Sequence, residues 1–178
     1  MRLTSKGWGE KCTLCKALLI LLPDSILLHR QAMTKSKVKI ELGDVTVHNI
    51  KQLKRVNQVV FPVSYNDRFY KDVVHAGELA KLVYFNDIMV GGVCCRLDTS
   101  NGQKRLYIMT LGCLAPYRRY GLGRLMLNHV LALAKKDPAI HSIYLHVQVS
   151  NTDALAFDQK AGFERILTPG DRLPAAAL

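Results

Sequence analysis

From about residue 38 onward, hydrophobic and polar positions follow regular periods that predict alternating strands and helices. The segment VKIEL, at 38–42, is typical of a short strand. Thr46 can then cap a first helix, and Asp67 can cap a second one after FPVSYND. The first helix has one apolar face, formed by Ile50, Leu53, Val56 and Val60. The second presents Phe69, Val73 and Val74.

Three strand patterns come next, and short turns separate them. They are ELAKLVYF, IMVGGVCCRL and KRLYIMTLG. Asn86-Asp87 joins the first two and Asn101-Gly102 joins the last two, and both pairs tolerate the dihedral angles of tight turns. Strands connected in this way pair antiparallel.

The remaining pattern is a helix, a strand, a helix and a strand. The first helix ends before Pro138 and has an apolar stripe, formed by Leu122, Leu125, Met126, Val130, Leu131 and Ala134. SIYLHVQV, TDALAFDQKA and FERIL follow it. A strand, a crossover helix and a second strand predict parallel pairing at this end of the sheet. The order βααβββαβαβ therefore predicts an α/β (α+β) fold with a mixed sheet and helices on both faces.

Residues 1–36 lack a sustained period and are interpreted as an irregular N-terminal leader. Their apolar stretch, ALLILLPDSILL, is interrupted by Pro23 and Asp24, so it is too short for a membrane span and untypical of a secretory signal. Met33 could itself be a translation start. We expect one folded domain at 37–168 and a short divergent tail at 169–178.

The length, composition and charge of the chain limit the classes of function that it can have. The chain has 178 residues, of which 49% are hydrophobic, enough for one domain with a sizeable core. Its net charge of +11 favours an anionic ligand, but Lys and Arg are spread along the chain and are not interleaved with aromatic residues. No DNA or membrane partner is expected, and a basic nucleic-acid or ribosome-surface module remains an alternative.

The five cysteines have no framework spacing, which favours a reducing compartment. Cys12 and Cys15 form a Cys-x-x-Cys motif that could be half of a zinc site. No second pair with metal-ligand spacing follows, so no metal site is predicted. Cys94 and Cys95 are expected in the core.

The stretch APYRRYGLGRLMLNH, at 115–129, follows a predicted strand and opens a predicted helix. The first amides of a helix lack internal partners, and the helix dipole is positive at that end. Glycines let a phosphate oxygen approach the main chain closely, so the spacing Arg118-x-x-Gly121-x-Gly123 predicts a diphosphate-binding loop. An ordinary glycine-rich loop with unrelated arginines is the alternative from these residues alone.

RRYGLG combined with NTDALAFDQKAGF resembles the GNAT acetyltransferase superfamily. HNIKQLKR, NQVVFPVSYND, KRLYIMTLGCLAPYRR and IYLHVQVSN are similar to the NatE-type (San-type) N-terminal acetyltransferases, and the resemblance covers roughly residues 39–167. It implies the GNAT acyl-CoA N-acyltransferase fold and transfer of acetyl from acetyl-CoA to protein N-terminal α-amines. The implied substrate begins with Met followed by a hydrophobic residue.

The resemblance also implies the site. The catalytic pair would be Tyr107 and His146, and a histidine with a pKa near 6.5 suits removal of a proton from an amine. Without the resemblance, the usual interpretation is structural, because a lone histidine on a strand is usually a satisfied or surface residue and a lone tyrosine is usually a core residue. The implied cofactor-binding residues are Leu111, Gly112, Cys113, Leu114, Arg118, Arg119, Tyr120, Gly121, Leu122, Gly123, Arg124, Asn151, Ala154, Phe157, Asp158 and Lys160. The implied substrate-binding residues are Phe61, Pro62, Val63, Tyr65 and Met109.

Two features depart from the family pattern. Asp158 stands where the family has a tyrosine seven residues after its asparagine, and LTPGDRLPAAAL, with Pro169 and Pro174, replaces the last strand. An inactive relative that binds CoA and a partner is therefore the second hypothesis. Cys113 could carry a covalent intermediate, but direct transfer is favoured. The family also acts beside the NatA complex at the ribosome, in cytoplasm and nucleus.

Overall fold

The computed structural model describes residues 38–99 and 102–166, and the main chain of residues 16–21. Within these ranges, seven strands form one mixed sheet that carries four α-helices. The strands are β1 (Lys16–Leu21), β2 (Ile40–Asp44), β3 (Ala80–Phe85), β4 (Ile88–Asp98), β5 (Lys104–Cys113), β6 (Ile140–Gln148) and β7 (Glu164–Ile166). The helices are α1 (Ile50–Val60), α2 (Asp67–Val74), α3 (Leu122–Lys136) and α4 (Thr152–Lys160).

From β2 onward, the element order is the predicted βααβββαβαβ. Strands β2, β3, β4 and β5 pair antiparallel in sequence order, and β5 pairs parallel with β6. The β3–β4 turn has Asn86 and Asp87 at φ 48° and 67°. This is the left-handed conformation that Asn and Asp tolerate in tight turns. The fold class and the antiparallel hairpins are confirmed. The predicted parallel pairing of SIYLHVQV with FERIL is wrong, because β1 lies between β6 and β7.

Both predicted helix caps are wrong by one to three residues. Helix α1 begins after Asn49, whose Oδ1 accepts a hydrogen bond from the Thr46 amide at 2.7 Å, so Thr46 belongs to the preceding turn. Helix α2 is capped by Asn66, which accepts from the Phe69 amide at 2.9 Å. Asp67 is instead the first helical residue, where its charge suits the positive end of the helix dipole.

The prediction of an irregular leader is wrong for Lys16–Leu21, which forms strand β1 between β6 and β7. It runs antiparallel to both, so β6 and β7 point the same way without pairing directly. A strand inside a sheet reads as an apolar run without alternation, which is why the local period gave no signal. The Cys12–Cys15 motif, Met33 and the tail at 169–178 lie outside the described residues, and the domain limits stay a prediction.

The core lies on both faces of the sheet. One cluster packs under α3 and includes Val90, Leu106 and Met126, and α4 packs against it through Leu155 and Phe157. The other packs under α1 and α2, and includes Leu53, Phe69, Val73, Leu82 and Cys94. Neighbouring positions on one strand, such as 82 and 83 or 94 and 95, belong to different clusters, as the strand period of two requires.

Candidate active site

Strands β5 and β6 part in the middle of the sheet. Their parallel pairing runs from Lys104–Ile140 to Ile108–Leu145 and ends there, although β5 continues to Cys113 and β6 to Gln148. Beyond Ile108 and Leu145, the facing edges of the two strands keep main-chain donors and acceptors for a ligand. The predicted catalytic residues lie on either side of this divergence, because Tyr107 belongs to the paired part and His146 is the first residue past it.

The predicted diphosphate loop follows β5. The Leu114 amide still donates to the Val90 carbonyl at 2.8 Å, and α3 begins at Leu122. Gly121 is the N-cap of α3 and has φ 87°, and a Cβ added there would have nothing within 4 Å. The first turn of α3 has no acidic residue and no side-chain cap, so no side chain of the turn occupies its unpaired amides. This end of α3 fits the diphosphate of CoA.

The two glycines of the loop serve different purposes. A Cβ at Gly123 would lie 3.2 Å from the Phe157 ring, so Gly123 allows α3 and α4 to approach each other. The spacing predicts the same role in phosphate binding for both glycines. Of these two, Gly121 is the one around which the described residues leave open space.

Tyr107 and His146 meet although 39 residues separate them in the chain. The Tyr107 hydroxyl lies 3.2 Å from His146 Nδ1, and the two rings are edge to face with centroids 5.4 Å apart. Burial raises the pKa of Tyr107 above its usual value, although the nearby Arg96 guanidinium opposes this. Tyr107 therefore stays protonated at neutral pH, beside an exposed histidine.

A polar network under this pair was missed from the sequence. The Tyr107 ring stacks on Tyr144 with centroids 4.8 Å apart, and the Tyr144 hydroxyl donates to Asp98 Oδ2 at 2.5 Å. Arg105 bonds the same oxygen at 3.0 Å, and burial raises the pKa of Tyr144 to about 12. The sequence does contain a pattern that predicts part of this network. Asp98 and Arg105 have opposite charges and lie equally far from the predicted turn at 101–102, so they are partners across the hairpin.

The predicted peptide-binding residues lie on the α1–α2 side of the sheet. Tyr65 stacks on Phe69 with centroids 4.5 Å apart, and both Tyr65 and Met109 pack against the core under α1 and α2. Burial, with Tyr107 nearby, raises the pKa of Tyr65 well above its usual value. Tyr65, a predicted peptide-binding residue, therefore lies near Tyr107, the predicted catalytic tyrosine.

Phe61 links the end of α1 to the end of β5. Its amide donates to the Asn57 carbonyl at 2.9 Å, which ends the helix, and a Cβ at Gly112 would lie 3.0 Å from its ring. Val63 is half-buried and Pro62 is exposed. Phe61 therefore ends α1 and also lies beside Tyr65, another predicted peptide-binding residue.

The other predicted cofactor residues differ in their surroundings. Arg118, Arg119, Tyr120, Arg124 and Lys160 are exposed, whereas Leu111, Leu114 and Ala154 are half-buried. Burial raises the pKa of the half-buried Cys113 thiol, which Arg118 partly opposes. Asn151 caps α4 through a hydrogen bond from the Ala154 amide at 3.2 Å.

Asp158 is buried, with 5% of its surface exposed, and burial raises its pKa to about 7. It therefore carries only part of a charge at neutral pH. A protonated carboxyl can donate a hydrogen bond, which removes part of the contrast with the tyrosine of the family pattern.

Other kinds of site are less well supported. Within residues 38–99 and 102–166, no cluster of three His, Cys, Asp or Glu side chains could hold a metal ion. No helix in the described part of the chain has the length and hydrophobicity needed to cross a bilayer. A cavity of about 340 Å³ lies between α1 and α2, and none of the predicted site residues lines it.

Comparisons with known proteins agree with this geometry. Residues 47–163 match the acetyltransferase (GNAT) family. N-alpha-acetyltransferase 50 of Danio rerio is 71% identical over 132 residues, which cover 74% of this chain and 79% of that protein. The probable N-acetyltransferase san of Drosophila melanogaster is 62% identical over 136 residues, covering 76% and 73%. The NatE-type resemblance is confirmed.

A solved structure gives the same result. Arabidopsis thaliana Naa50, in complex with the bisubstrate analogue CoA-Ac-MVNAL, is 52% identical and superposes with a TM-score of 0.65. The match covers 70% of this chain and 83% of that one. Arabidopsis NAA60, at 20% identity and a TM-score of 0.64, shares the fold.

Proposed function

Because the chain belongs to the acetyltransferase (GNAT) family, we propose that it transfers the acetyl group of acetyl-CoA to the N-terminal α-amine of proteins. The preferred substrate begins with Met followed by a hydrophobic residue. The observation that carries the proposal is the Tyr107–His146 contact of 3.2 Å, at the point where β5 and β6 part.

Acetyl-CoA supplies an acetyl group activated as a thioester. The amides at the N-terminus of α3 would hold its diphosphate, with Arg118 and Arg124 nearby in sequence to balance the charge. The open space over Gly121 supports this assignment. The edge of β5 beyond Ile108, which no longer pairs with β6, would hold the amide groups of the pantetheine arm.

His146 would take the proton that the attacking amine must lose. An N-terminal amine has a pKa of about 8, so a substantial fraction is protonated at neutral pH. In the tautomer that donates Nδ1–H to the Tyr107 oxygen, His146 Nε2 keeps its lone pair and can accept this proton, directly or through a water. The Tyr107 hydroxyl is then free to donate to that water.

Direct attack by the amine is favoured over a covalent intermediate. The raised pKa of Cys113 keeps it a neutral thiol, which is a poor nucleophile compared with a thiolate. The amine therefore attacks the thioester without help from this cysteine.

Tyr65, Met109 and Phe61 would receive the first side chain of the peptide. They present aromatic and thioether groups next to the core under α1 and α2. Burying one large apolar side chain contributes about 1.5–3 kcal/mol, which supports a Met-hydrophobic start over a charged one.

Association with the NatA complex at the ribosome, and residence in cytoplasm and nucleus, are further parts of the proposal. They are supported by the NatE-type resemblance carried by residues 39–167. Co-purification of the tagged full chain with NatA subunits tests the first, and imaging of the tagged chain tests the second.

The deciding experiment measures acetyl transfer by the full chain to peptides. We expect turnover on a Met-Leu peptide, less on a Met-Lys peptide and none when the amine is already acetylated. CoA binding without turnover would favour the second hypothesis, a non-enzymatic partner. Retention on RNA that is lost with salt, with no response to CoA, would favour the basic-surface alternative that the charge of +11 suggests.

A further inference from the structure

Within the described residues, the segment of β6 that carries His146 is held in the sheet by one neighbouring strand. Beyond Leu145, β6 no longer pairs with β5, and residues His146–Gln148 pair with β1. In the described part of the chain, β1 is therefore the strand partner of the catalytic histidine. A histidine on an unpaired strand end would not keep a fixed distance to Tyr107.

Strand β7 depends on β1 in the same way. Its three residues pair with Leu18, Leu19 and Ile20, and this is the pairing that joins β7 to the sheet of residues 16–21, 38–99 and 102–166. Leu18 occupies a central register position, because it is paired with His146 on one side and with Ile166 on the other.

The sequence of the segment suits an interior strand. KALLIL is a continuous apolar run after its first residue, as is typical of strands that have neighbours on both sides and cover on both faces. Without β1, both β6 and β7 would present unpaired main-chain groups. The same six residues therefore satisfy the edges of two strands.

We propose that Lys16–Leu21 is a positioning element of the acetyltransferase site, which fixes His146 against Tyr107 by pairing with β6. The inference rests on the proposed function, because the role of His146 comes from it. The segment acts through His146 and does not itself touch the reacting atoms. The Gly121 loop is attached to β5 and α3, so CoA binding should not depend on β1.

Proline substitutions in the full chain test the role. A residue inside an antiparallel sheet bonds one neighbour, and the next residue bonds the other, so Leu18→Pro and Leu19→Pro remove one donor toward β6 and one toward β7. We expect one of them to lower kcat about tenfold or more, because the loss of a main-chain hydrogen bond to β6 no longer holds His146 at a fixed distance from Tyr107. The same variant should speed amide hydrogen exchange at 146–148 and leave CoA affinity within twofold of wild type.

Leu18→Val and Leu19→Val are the matched controls, because valine keeps the amide and favours strands. They should behave like wild type in kcat and in hydrogen exchange. The inference is overturned if both proline variants keep kcat and the protection of 146–148. A parallel loss of kcat and CoA affinity would also overturn it, since that indicates general destabilisation.

A cross-link tests the placement of β1 if the proline variants do not fold. Leu19 and Arg165 are register partners, so Leu19→Cys/Arg165→Cys should oxidise to a disulfide in a background with Cys12→Ser and Cys15→Ser. Lys16→Cys/Arg165→Cys is the control, because its cysteines lie about 10 Å apart along the strand direction. Equal yields from both pairs would overturn the placement.

The two proposals fail in different ways. A wild-type chain without turnover on any N-terminal peptide would overturn the proposed function, and with it the catalytic role of β1. A chain with normal turnover that does not respond to the proline substitutions would overturn only the inference. Cross-link yield reports the position of β1 in either case.

Discussion

Tyr107 owes its assigned role to a single oxygen atom, which makes it the sharpest test at the scale of one residue. Tyr107→Phe keeps the ring that stacks on Tyr144 at 4.8 Å and removes the oxygen 3.2 Å from His146 Nδ1. We expect kcat to fall about tenfold or more without a change in CoA affinity. Tyr144→Phe is the control, because its hydroxyl bonds Asp98 instead. Equal losses in both variants would contradict the role of Tyr107.

Gly121 is the residue at which binding of the CoA diphosphate can be tested. Gly121→Asp places a carboxylate where it can accept hydrogen bonds from the first amides of α3, so it competes with and repels the diphosphate. CoA affinity in calorimetry should fall at least about tenfold. Gly102→Asp is matched, since Gly102 also has a positive φ, 73°, and open space around an added Cβ. Equal affinities of the two variants for CoA would show that this loop does not bind the diphosphate.

The raised pKa of Asp158 makes the stability of the fold depend on pH. Its pKa is about 7 in the folded protein and near 3.8 when exposed, so the native state holds a proton that the unfolded state releases between these values. The free energy of unfolding therefore falls as pH rises from about 4 to about 7. Between pH 5 and pH 8 we expect a loss of about 2–3 kcal/mol that Asp158→Asn lacks, measured by urea unfolding. Identical pH dependence in both proteins would refute the raised pKa.

At the scale of elements, the close contact of β4 with the end of β5 sets where the loop to α3 begins. A Cβ at Gly91 would lie 2.5 Å from the Gly112 carbonyl oxygen and 2.9 Å from Cys113 Cα. Gly91→Ala should therefore push the strands apart, cost about 1–3 kcal/mol of stability and weaken CoA binding. Thermal unfolding and CoA calorimetry measure both effects.

Gly43→Ala is the control for that substitution. Its added methyl group would meet only the ring of Tyr84, which can move, and Gly43 lies on β2, away from the loop. We expect a smaller loss of stability and unchanged CoA affinity. A Gly91→Ala chain with wild-type affinity would show that the β4–β5 contact does not position the loop.

For the whole molecule, ligand binding and folding are linked. A ligand that binds only the native state at about 100 times its Kd adds ~2.7 kcal/mol to the free energy of unfolding. For a domain of this size, acetyl-CoA should raise Tm by about 5–10 °C in a thermal-shift experiment. Gly121→Asp should lose this shift and Gly102→Asp should keep it. The same shift with an uncharged pantetheine fragment would argue against diphosphate binding.

The sequence determined features that depend on neighbours in the chain. The order of elements from β2 onward, the Asn86-Asp87 turn and the Gly121 helix start follow from local periods and backbone preferences, and the structure has all three. The resemblance then supplied the family. The cap of α2 differs from the prediction because Asn66 and Asp67, one residue apart, can both accept from the first helical amides.

Only the tertiary structure decided the rest, because it depends on pairs far apart in sequence. Tyr107 meets His146 across 39 residues, and Tyr144 meets Asp98 across 46. Lys16–Leu21 joins the sheet beside β6, more than 100 residues away in the chain. Its apolar run has no periodicity from which the neighbouring strand could be predicted. The burial that raises the pKa of Asp158 likewise comes from packing. Local patterns fix which elements form, but strand neighbours and desolvation are set by contacts that no local pattern encodes.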